Sequence, residues 1–209
     1  SLRRQRQMCI RDRGEAILKE EISLADTVEN ARRLLAGELK GVAFNVEVPE
    51  SHLVGGNANQ LCQVMVNLIQ NSAQALEGAR ERGIEPWITV SSTRSGEDFV
   101  EIKVQDNGPG IAAEDLDHVF DPFFTKKEVG AGMGLGLSIC HRIIESHNGR
   151  IEVESEPGRP TVFRVIIPQP WQGEMDIEEP GLSAGRSEEE SLLHEAEVDT
   201  ADLQQAWEK

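Results

Sequence analysis

Two pairs of alternating segments, each joined by a short turn, constrain the fold of this chain more strongly than any other feature of its sequence. Residues 87–94 and 99–105 alternate apolar and polar side chains across a turn at residues 95–98, and residues 150–155 and 161–167 repeat the pattern. Strands joined by so short a turn pair antiparallel, because a parallel pair needs a crossover of roughly a dozen residues or more. A doubly wound parallel sheet is therefore excluded.

Helical periodicity accounts for most of the remaining sequence between residues 24 and 168. Apolar residues recur every three or four positions over residues 24–35, 57–82 and 134–146, and a further strand is predicted over residues 42–48. The apolar face of the first helix is predicted to contain Leu24, Val28, Ala31, Leu34 and Leu35. This order of helices and strands predicts an α+β fold, a two-layer α/β sandwich whose sheet is mixed but mostly antiparallel, with the helices on one face.

Charged residues divide the chain into a basic start, a central domain and an acidic end. The 209 residues include 37 acidic and 21 basic side chains, which give a formal net charge of −16. Residues 1–13 are expected to be non-native or disordered, with a basic interaction arm as the alternative. Residues 24–168 are expected to form the domain, and residues 169–209 an acidic linker or tail with a short helix over residues 192–207.

The composition also restricts the partners and the compartment. Because the net charge is −16, the chain has too little positive charge to neutralise a run of phosphates. Nucleic acid is therefore not an expected partner. No apolar run approaches the roughly 18 residues that a membrane span needs, so no membrane contact is expected from this chain. Cys9, Cys62 and Cys140 lack metal-ligand spacing. A reduced, cytoplasmic setting fits them best, whether or not the parent protein is anchored in a membrane.

A stripe of amides follows one face of the helix predicted over residues 57–82. Its members are Gln60, Gln63, Asn67, Asn71 and Gln74. Amides donate and accept hydrogen bonds, and their carbonyl oxygens can bind a hard cation. For the amides alone, an ordinary solvated helix face is the favoured interpretation.

Two glycine-rich motifs flank the long loop predicted over residues 107–134, which contains one short helix at about residues 114–119. The motif DNGPG at residues 106–110 ends a strand with a carboxylate that can accept from an amino group, while its glycines let a flat ring approach. The motif GAGMGLGL at residues 130–137 opens a helix whose unpaired N–H groups would suit a polyphosphate. An ordinary turn and a flexible glycine loop are the alternatives.

The motif FDPFFTKK at residues 120–127 lies between the two glycine motifs. Its three phenylalanines predict a loop that docks its aromatic side chains, and Lys126 and Lys127 lie beside the predicted phosphate-binding helix. The alternative is a hydrophobic plug with two solvated lysines.

In this order, the four motifs resemble the N, G1, F and G2 boxes of the histidine kinase family, in its ATP-binding catalytic domain of the Bergerat-fold (GHKL) superfamily. The matching sequences are NLIQNSAQAL, DNGPGI, FDPFFTKK and GAGMGLGLSI, and the resemblance covers roughly residues 24–168. It implies the catalytic domain of a two-component sensor kinase, which transfers the γ-phosphoryl group of ATP to a histidine on a separate dimerisation domain and acts on a downstream response regulator. Residues 14–23 would then be the end of that dimerisation hairpin.

The resemblance also implies roles for individual residues. Asn71 matches the ligand of Mg²⁺, and Asp106 matches the acceptor for the adenine amino group, with Gly108 and Gly110 leaving room for the base. Residues 112–131 would form a lid over the nucleotide. The residues that match the phosphate-binding end are Lys126, Lys127, Gly132, Gly134, Leu135, Gly136 and Leu137.

Two departures from the family pattern, and one difference from hydrolysing relatives, bear on mechanism. Gln74 stands where many members carry a lysine, so Lys127 is expected to meet the phosphate charge as a catalytic residue. Asn67, the other expected catalytic residue, stands where hydrolysing relatives carry a glutamate, which disfavours a hydrolysing ATPase. None of the five histidines stands in the acceptor motif. The alternatives are a nucleotide-gated interaction module without kinase activity, its acidic tail binding a partner, and another ATPase of the superfamily.

Overall fold

The structure, a computed structural model, describes residues 20–126 and 133–170. The predictions made for residues 1–19, 127–132 and 171–209 fall outside these ranges. Lys127 and Gly132 of the predicted site are among the residues not described.

Five strands form one sheet, and three longer helices cover it. In chain order, the elements are β1 (Glu21–Ser23), α1 (Leu24–Leu34), β2 (Ala43–Glu47), β3 (Leu53–Gly55), α2 (Ala58–Ala75), a 3-10 turn (Arg80–Arg82), β4 (Trp87–Ser95), β5 (Phe99–Asp106), α3 (Ala113–Leu116), α4 (Gly136–Ser146), β6 (Arg150–Glu154) and β7 (Thr161–Pro168). The sheet has the order β2-β4-β5-β7-β6. Strands β2 and β4 are parallel, and the other three neighbouring pairs are antiparallel. The predicted α+β fold with a mixed, mostly antiparallel sheet is confirmed.

The hydrophobic core lies between one face of this sheet and the helices α1, α2 and α4. On β5 the core residues Val100, Ile102 and Val104 alternate with polar residues, as expected for a sheet with one buried face. On α2 the core residues recur at helical spacing, and they are Leu61, Val64, Met65, Leu68, Ile69 and Ala73. The opposite face of the sheet carries charge, since Arg164 on β7 pairs with Glu154 on β6 at 2.6 Å.

Helix α1 buries a narrower face than its apolar residues predict. Leu24, Val28, Ala31 and Leu35 are buried, whereas Leu34 is 71% exposed. The buried four are spaced by four, three and four positions, and Leu34 lies about 100° around the helix from Leu35. The prediction that Leu34 belongs to the buried face was therefore wrong.

Two other features differ from the sequence prediction. Strands β1 and β3 were not predicted, and they form a separate antiparallel pair in which Ile22 lies opposite Val54. The helix predicted over residues 57–82 ends at Ala75, and the left-handed backbone of Gly78 (φ 67°) separates it from the 3-10 turn. Glycine commonly takes this conformation just after a helix because it has no Cβ to clash.

A side chain caps the start of α1, which follows β1, and another caps the start of α2, which follows β3. The Ser23 hydroxyl accepts from the Asp26 N–H at 3.2 Å, and the Asn57 side-chain oxygen accepts from the Gln60 N–H at 3.1 Å. Each bond satisfies a donor that a helix leaves unpaired in its first turn. Across residues 20–126 and 133–170, no helix combines the length and the apolar character that crossing a bilayer demands.

Candidate functional site

A cavity of about 750 Å³ opens between α2, the end of β5 and the start of α4. Its volume is in the range of small-molecule sites. The predicted site residues among its lining are Asn67, Asn71, Asp106, Gly110, Lys126, Gly134, Leu135, Gly136 and Leu137. The structure thus brings together residues from four separate sequence motifs. Gly108 lies beside Asp106 rather than in the lining.

At one end of the cavity, the Asp106 carboxylate is held by two hydrogen bonds. The Ser72 hydroxyl on α2 donates to Oδ2 at 2.8 Å, and the Gly108 N–H donates to Oδ1 at 2.9 Å. Asp106 is only 2% exposed, and its burial raises the pKa of the carboxyl, while the two hydrogen bonds oppose that rise. When it is ionised, this carboxylate is a fixed hydrogen-bond acceptor at the cavity wall.

The two glycines of the DNGPG motif meet the protein itself at close range. A Cβ on Gly108 would lie 2.8 Å from Oδ1 of Asp106 and 3.2 Å from Cβ of Ala75. A Cβ on Gly110, whose φ is +78°, would overlap the carbonyl oxygen of Glu156. Contacts within the fold therefore require glycine at position 110 and leave little room for a side chain at position 108, in addition to any space that a ligand needs.

At the other end of the cavity, two amides face the first turn of α4. The Asn67 side-chain amide donates to the carbonyl oxygen of Gly136 at 3.3 Å. A Cβ on Gly136 would lie 4.0 Å from the side-chain nitrogen of Asn71. Helix α4 begins at Gly136 without a side-chain cap, so the N–H groups of its first turn have no capping side chain. This end of the cavity suits an anion, and the amide oxygens beside it suit a hard cation.

A lysine and a carboxylate pair on the wall of the cavity. Nζ of Lys126 lies 2.5 Å from Oδ2 of Asp115 on α3. The hydrogen bond to Asp115 raises the pKa of the Lys126 ammonium, although the lysine itself is largely exposed. Lys126 therefore carries a positive charge into the cavity lining, and in this structure that charge is engaged by Asp115.

Sequence reasoning missed two polar residues at the site. Ser72 falls on the apolar face of α2, where the periodicity predicts burial only, although a lone hydroxyl in an apolar stripe is a signal for a buried partner. Gln70 lies in the cavity lining, and its amide donates to the Glu38 carboxylate at 3.2 Å. By contrast, Gln60 and Gln63 of the amide stripe are exposed and lie outside the lining.

The three phenylalanines of the FDPFFTKK motif differ in their packing and exposure. Phe120 packs against the hydrophobic core, and Phe124 lies in the cavity lining. Phe123 is 72% exposed and has a left-handed backbone (φ 69°), and its N–H donates to the carbonyl of Gly134 at 2.9 Å. The prediction that the loop docks its aromatic side chains therefore describes Phe120 and Phe124 but not Phe123.

Comparison with known proteins gives one family match and several relatives. Residues 56–170 match the family described as histidine kinase-, DNA gyrase B- and HSP90-like ATPase. The sensory histidine kinase/phosphatase NtrB of Rhizobium leguminosarum bv. phaseoli is 34% identical over 181 residues, which cover 79% of this chain and 45% of that protein. Sporulation kinase C of Bacillus subtilis (strain 168) is 34% identical over 152 residues, which cover 73% of this chain and 32% of that protein. The chain thus spans less than half the length of these relatives.

One solved structure is similar to this chain over nearly the whole length of that structure. The catalytic domain of histidine kinase ThkA superposes with a TM-score of 0.62 at 30% sequence identity. The superposition covers 72% of this chain and 95% of that one.

Proposed function

Because the chain belongs to the family of histidine kinase-, DNA gyrase B- and HSP90-like ATPases, and within it to the ATP-binding catalytic domains of histidine kinases, we propose that it transfers the γ-phosphoryl group of ATP, bound with Mg²⁺ in the cavity, to a histidine on a separate dimerisation domain. The phosphoryl group then passes to a response regulator. The observation that supports this proposal is the division of one cavity into an end with a buried carboxylate acceptor, at Asp106, and an end with an uncapped helix start that suits an anion, at Gly136.

The Asp106 end receives the adenine. The ionised carboxylate accepts a hydrogen bond from the 6-amino group, and its burial among apolar strands excludes the water that would compete. The Gly108 N–H holds Oδ1 of Asp106 through a hydrogen bond. Gly110 allows the following loop to pack closely against the carbonyl group of Glu156. The base therefore meets a rigid wall.

The opposite end receives the triphosphate. The N–H groups around Leu135 to Leu137, in the first turn of α4, donate to phosphate oxygens, and the dipole of the helix favours their negative charge. Gly134 allows the chain to turn into this helix close to the backbone of Phe123 and Phe124, which a Cβ would obstruct.

The side chains present at this end fit a magnesium ion shared with the phosphates. Asn71 offers one amide oxygen, and Mg²⁺ bound to a nucleotide often takes only one or two protein ligands besides phosphate and water oxygens. The described residues contain no cluster of three or more His, Cys, Asp or Glu that could hold a metal by itself. When bound, the ion neutralises charge on the phosphates.

Lysines and Asn67 complete the proposed machinery. Lys126 reaches the phosphates by exchanging Asp115 for a phosphate oxygen, and Lys127 meets the charge that a lysine at position 74 meets in other members. Asn67 orients the first turn of α4 through its bond to Gly136. These residues position the phosphates and neutralise their negative charge, which is most of what phosphoryl transfer requires of a protein.

Two substitutions test the assignment because Asn71 and Asp106 contact opposite ends of the nucleotide. Asn71→Ala should weaken Mg·ATP most and adenosine least, since adenosine carries no phosphate for a metal to bridge. Asp106→Asn should weaken adenosine, ADP and ATP alike, roughly tenfold to a hundredfold, because the carboxylate acceptor is lost. The affinities are measured by displacement of a fluorescent ATP analogue.

The nucleotide series supplies its own control, since each variant is compared with itself across three ligands. If both variants bind all three nucleotides as the unchanged chain does, the site assignment is wrong.

A further inference from the structure

The Asp106 carboxylate has one donor on each oxygen, and the two donors come from different elements. Gly108 supplies a backbone N–H from the loop that follows β5, whereas Ser72 supplies a hydroxyl from α2. Ser72 is 1% exposed and therefore cannot exchange this bond for one with bulk water. The donor at position 108 belongs to the backbone, whereas the hydroxyl depends on the side chain at position 72.

Among the described residues, those that pair with Asp106 in the sheet or contact its carboxyl from α2 are neutral. Its partners in the sheet are Ile88 on β4 and Thr161 on β7, and neither side chain titrates. On α2, Ser72 and Ala75 are the residues in contact with Asp106 and Gly108. The protonation state of Asp106 is therefore set by its burial and by these two hydrogen bonds.

Charged residues of the same cavity are already paired. Asp115 and Lys126 share the lining with Asp106, but they form an ion pair with each other. Burial raises the pKa of Asp106, and among the described side chains it is the Ser72 hydroxyl that lowers it through a hydrogen bond.

The protonation state decides which purine the carboxyl can bind. An ionised carboxylate only accepts hydrogen bonds, so it pairs with a 6-amino group and repels a 6-oxo group. A protonated carboxyl carries one O–H donor and can pair with a 6-oxo group instead. Each donor that points at the carboxylate favours the ionised state.

We propose that Ser72 is a positioning residue that sets the purine selectivity of the cavity, because its hydrogen bond holds Asp106 as a carboxylate that only accepts hydrogen bonds. This inference rests on the proposed function. The hydroxyl does not touch the nucleotide. It acts by extending, toward lower pH, the range in which a 6-aminopurine is bound in preference to a 6-oxopurine.

The test measures the affinities of adenosine and inosine against pH, using the full chain and displacement of a fluorescent ATP analogue. Both nucleosides lack phosphates, so phosphate titration does not affect their ratio. In the unchanged protein, the preference for adenosine should fall as the pH falls through the pKa of Asp106. In Ser72→Ala the same fall should begin at a higher pH, so that at a pH within the fall the preference for adenosine is roughly tenfold lower than in the unchanged protein.

Ser92→Ala is the matched control. Ser92 is also buried and hydrogen-bonded, to His52 at 2.7 Å, but it lies on β4 outside the cavity lining. Its pH profile should follow that of the unchanged protein. Thermal unfolding of each variant checks that the fold is retained. If Ser72→Ala does not fold, Ser72→Cys replaces it, because the thiol keeps the volume and donates only weakly.

The outcomes separate this inference from the function on which it rests. A folded Ser72 variant whose profile superimposes on those of the unchanged protein and Ser92→Ala would show that Ser72 only packs. A preference for adenosine that does not change with pH would also overturn the inference. If the unchanged protein binds no nucleotide at neutral pH, the proposed function itself fails.

Discussion

At the scale of single residues, Asn67 is where this chain departs most clearly from a hydrolytic enzyme. Its amide lies one helical turn before Asn71 and donates to the carbonyl oxygen of Gly136, at the end of the cavity formed by the start of α4. An amide has no basic site for the proton of an attacking water, whereas a glutamate there could accept it. We expect very slow ATP hydrolysis by the unchanged chain and faster hydrolysis by Asn67→Glu, measured as phosphate release under saturating Mg·ATP.

The added negative charge beside the phosphates is the confounding effect in that experiment. ATP affinity is therefore measured in parallel, and rates are compared only at saturation. Brisk hydrolysis by the unchanged chain, together with no increase in a variant that still binds ATP, would show that Asn67 does not restrain hydrolysis.

How far the site could be predicted depends on whether a residue belongs to a recognisable motif. Asn71 and Asp106 could be named from the sequence because they match motifs of the family that the chain resembles, whereas the amide stripe and the glycine turn by themselves also fit an ordinary helix face and an ordinary turn. The partner of Asp106 could not be named in this way, because Ser72 lies at an apolar position and only the packing of α2 on β5 shows where its hydroxyl points. The roles of all the site residues stay predictions, and for Lys127 and Gly132 the positions do as well.

At the scale of elements, the loop after β5 is held against the turn between β6 and β7. Gly110 and Gly158 both have left-handed backbones, with φ of 78° and 76°, but only Gly110 faces other atoms within 4 Å. Gly110→Ala should therefore lower the free energy of unfolding by about 1–3 kcal/mol more than Gly158→Ala does, because both share the backbone strain and only one overlaps a neighbour. Urea denaturation of the two variants measures the difference.

Gly158→Ala is the control for the strain term in this comparison. If the two variants lose the same free energy of unfolding, the loop can move away from Glu156 with little loss of stability. Nucleotide affinity should fall with Gly110→Ala only, since this loop also lines the cavity.

The elements that the sequence predicts well are those long enough to show a period. Strands β4, β5, β6 and β7 each span five residues or more and were predicted from alternation. Strands β1 and β3 have three residues each, and three residues cannot distinguish alternation from chance. The end of α2 was placed too late because the apolar pattern continues past Ala75, while the backbone turns at Gly78.

At the scale of the whole molecule, donor and acceptor of the phosphoryl group are expected on different domains. Of the histidines in the described ranges, His52 and His147 are buried and hydrogen-bonded, and His118 and His141 lie outside the cavity lining. Incubated with γ-labelled Mg·ATP, the chain should gain almost no acid-labile phosphate. Adding the helical-hairpin domain of the parent protein should place label on that domain.

Asn71→Ala is the control for the transfer experiment, since it should abolish transfer to the added domain. Strong self-labelling of any histidine in the chain, including His194 outside the described residues, would contradict the proposed division of labour.

The antiparallel pair of β1 and β3 ties residue 20 to two helices of the cavity. Chain entering at Glu20 is hydrogen-bonded to Gly56 at 3.1 Å, immediately before the start of α2, and the next N–H, that of Asn57, donates to His147 at the end of α4. These hydrogen bonds therefore connect residue 20, through Gly56 and Asn57, to the start of α2 and to the end of α4, the two helices that line the cavity.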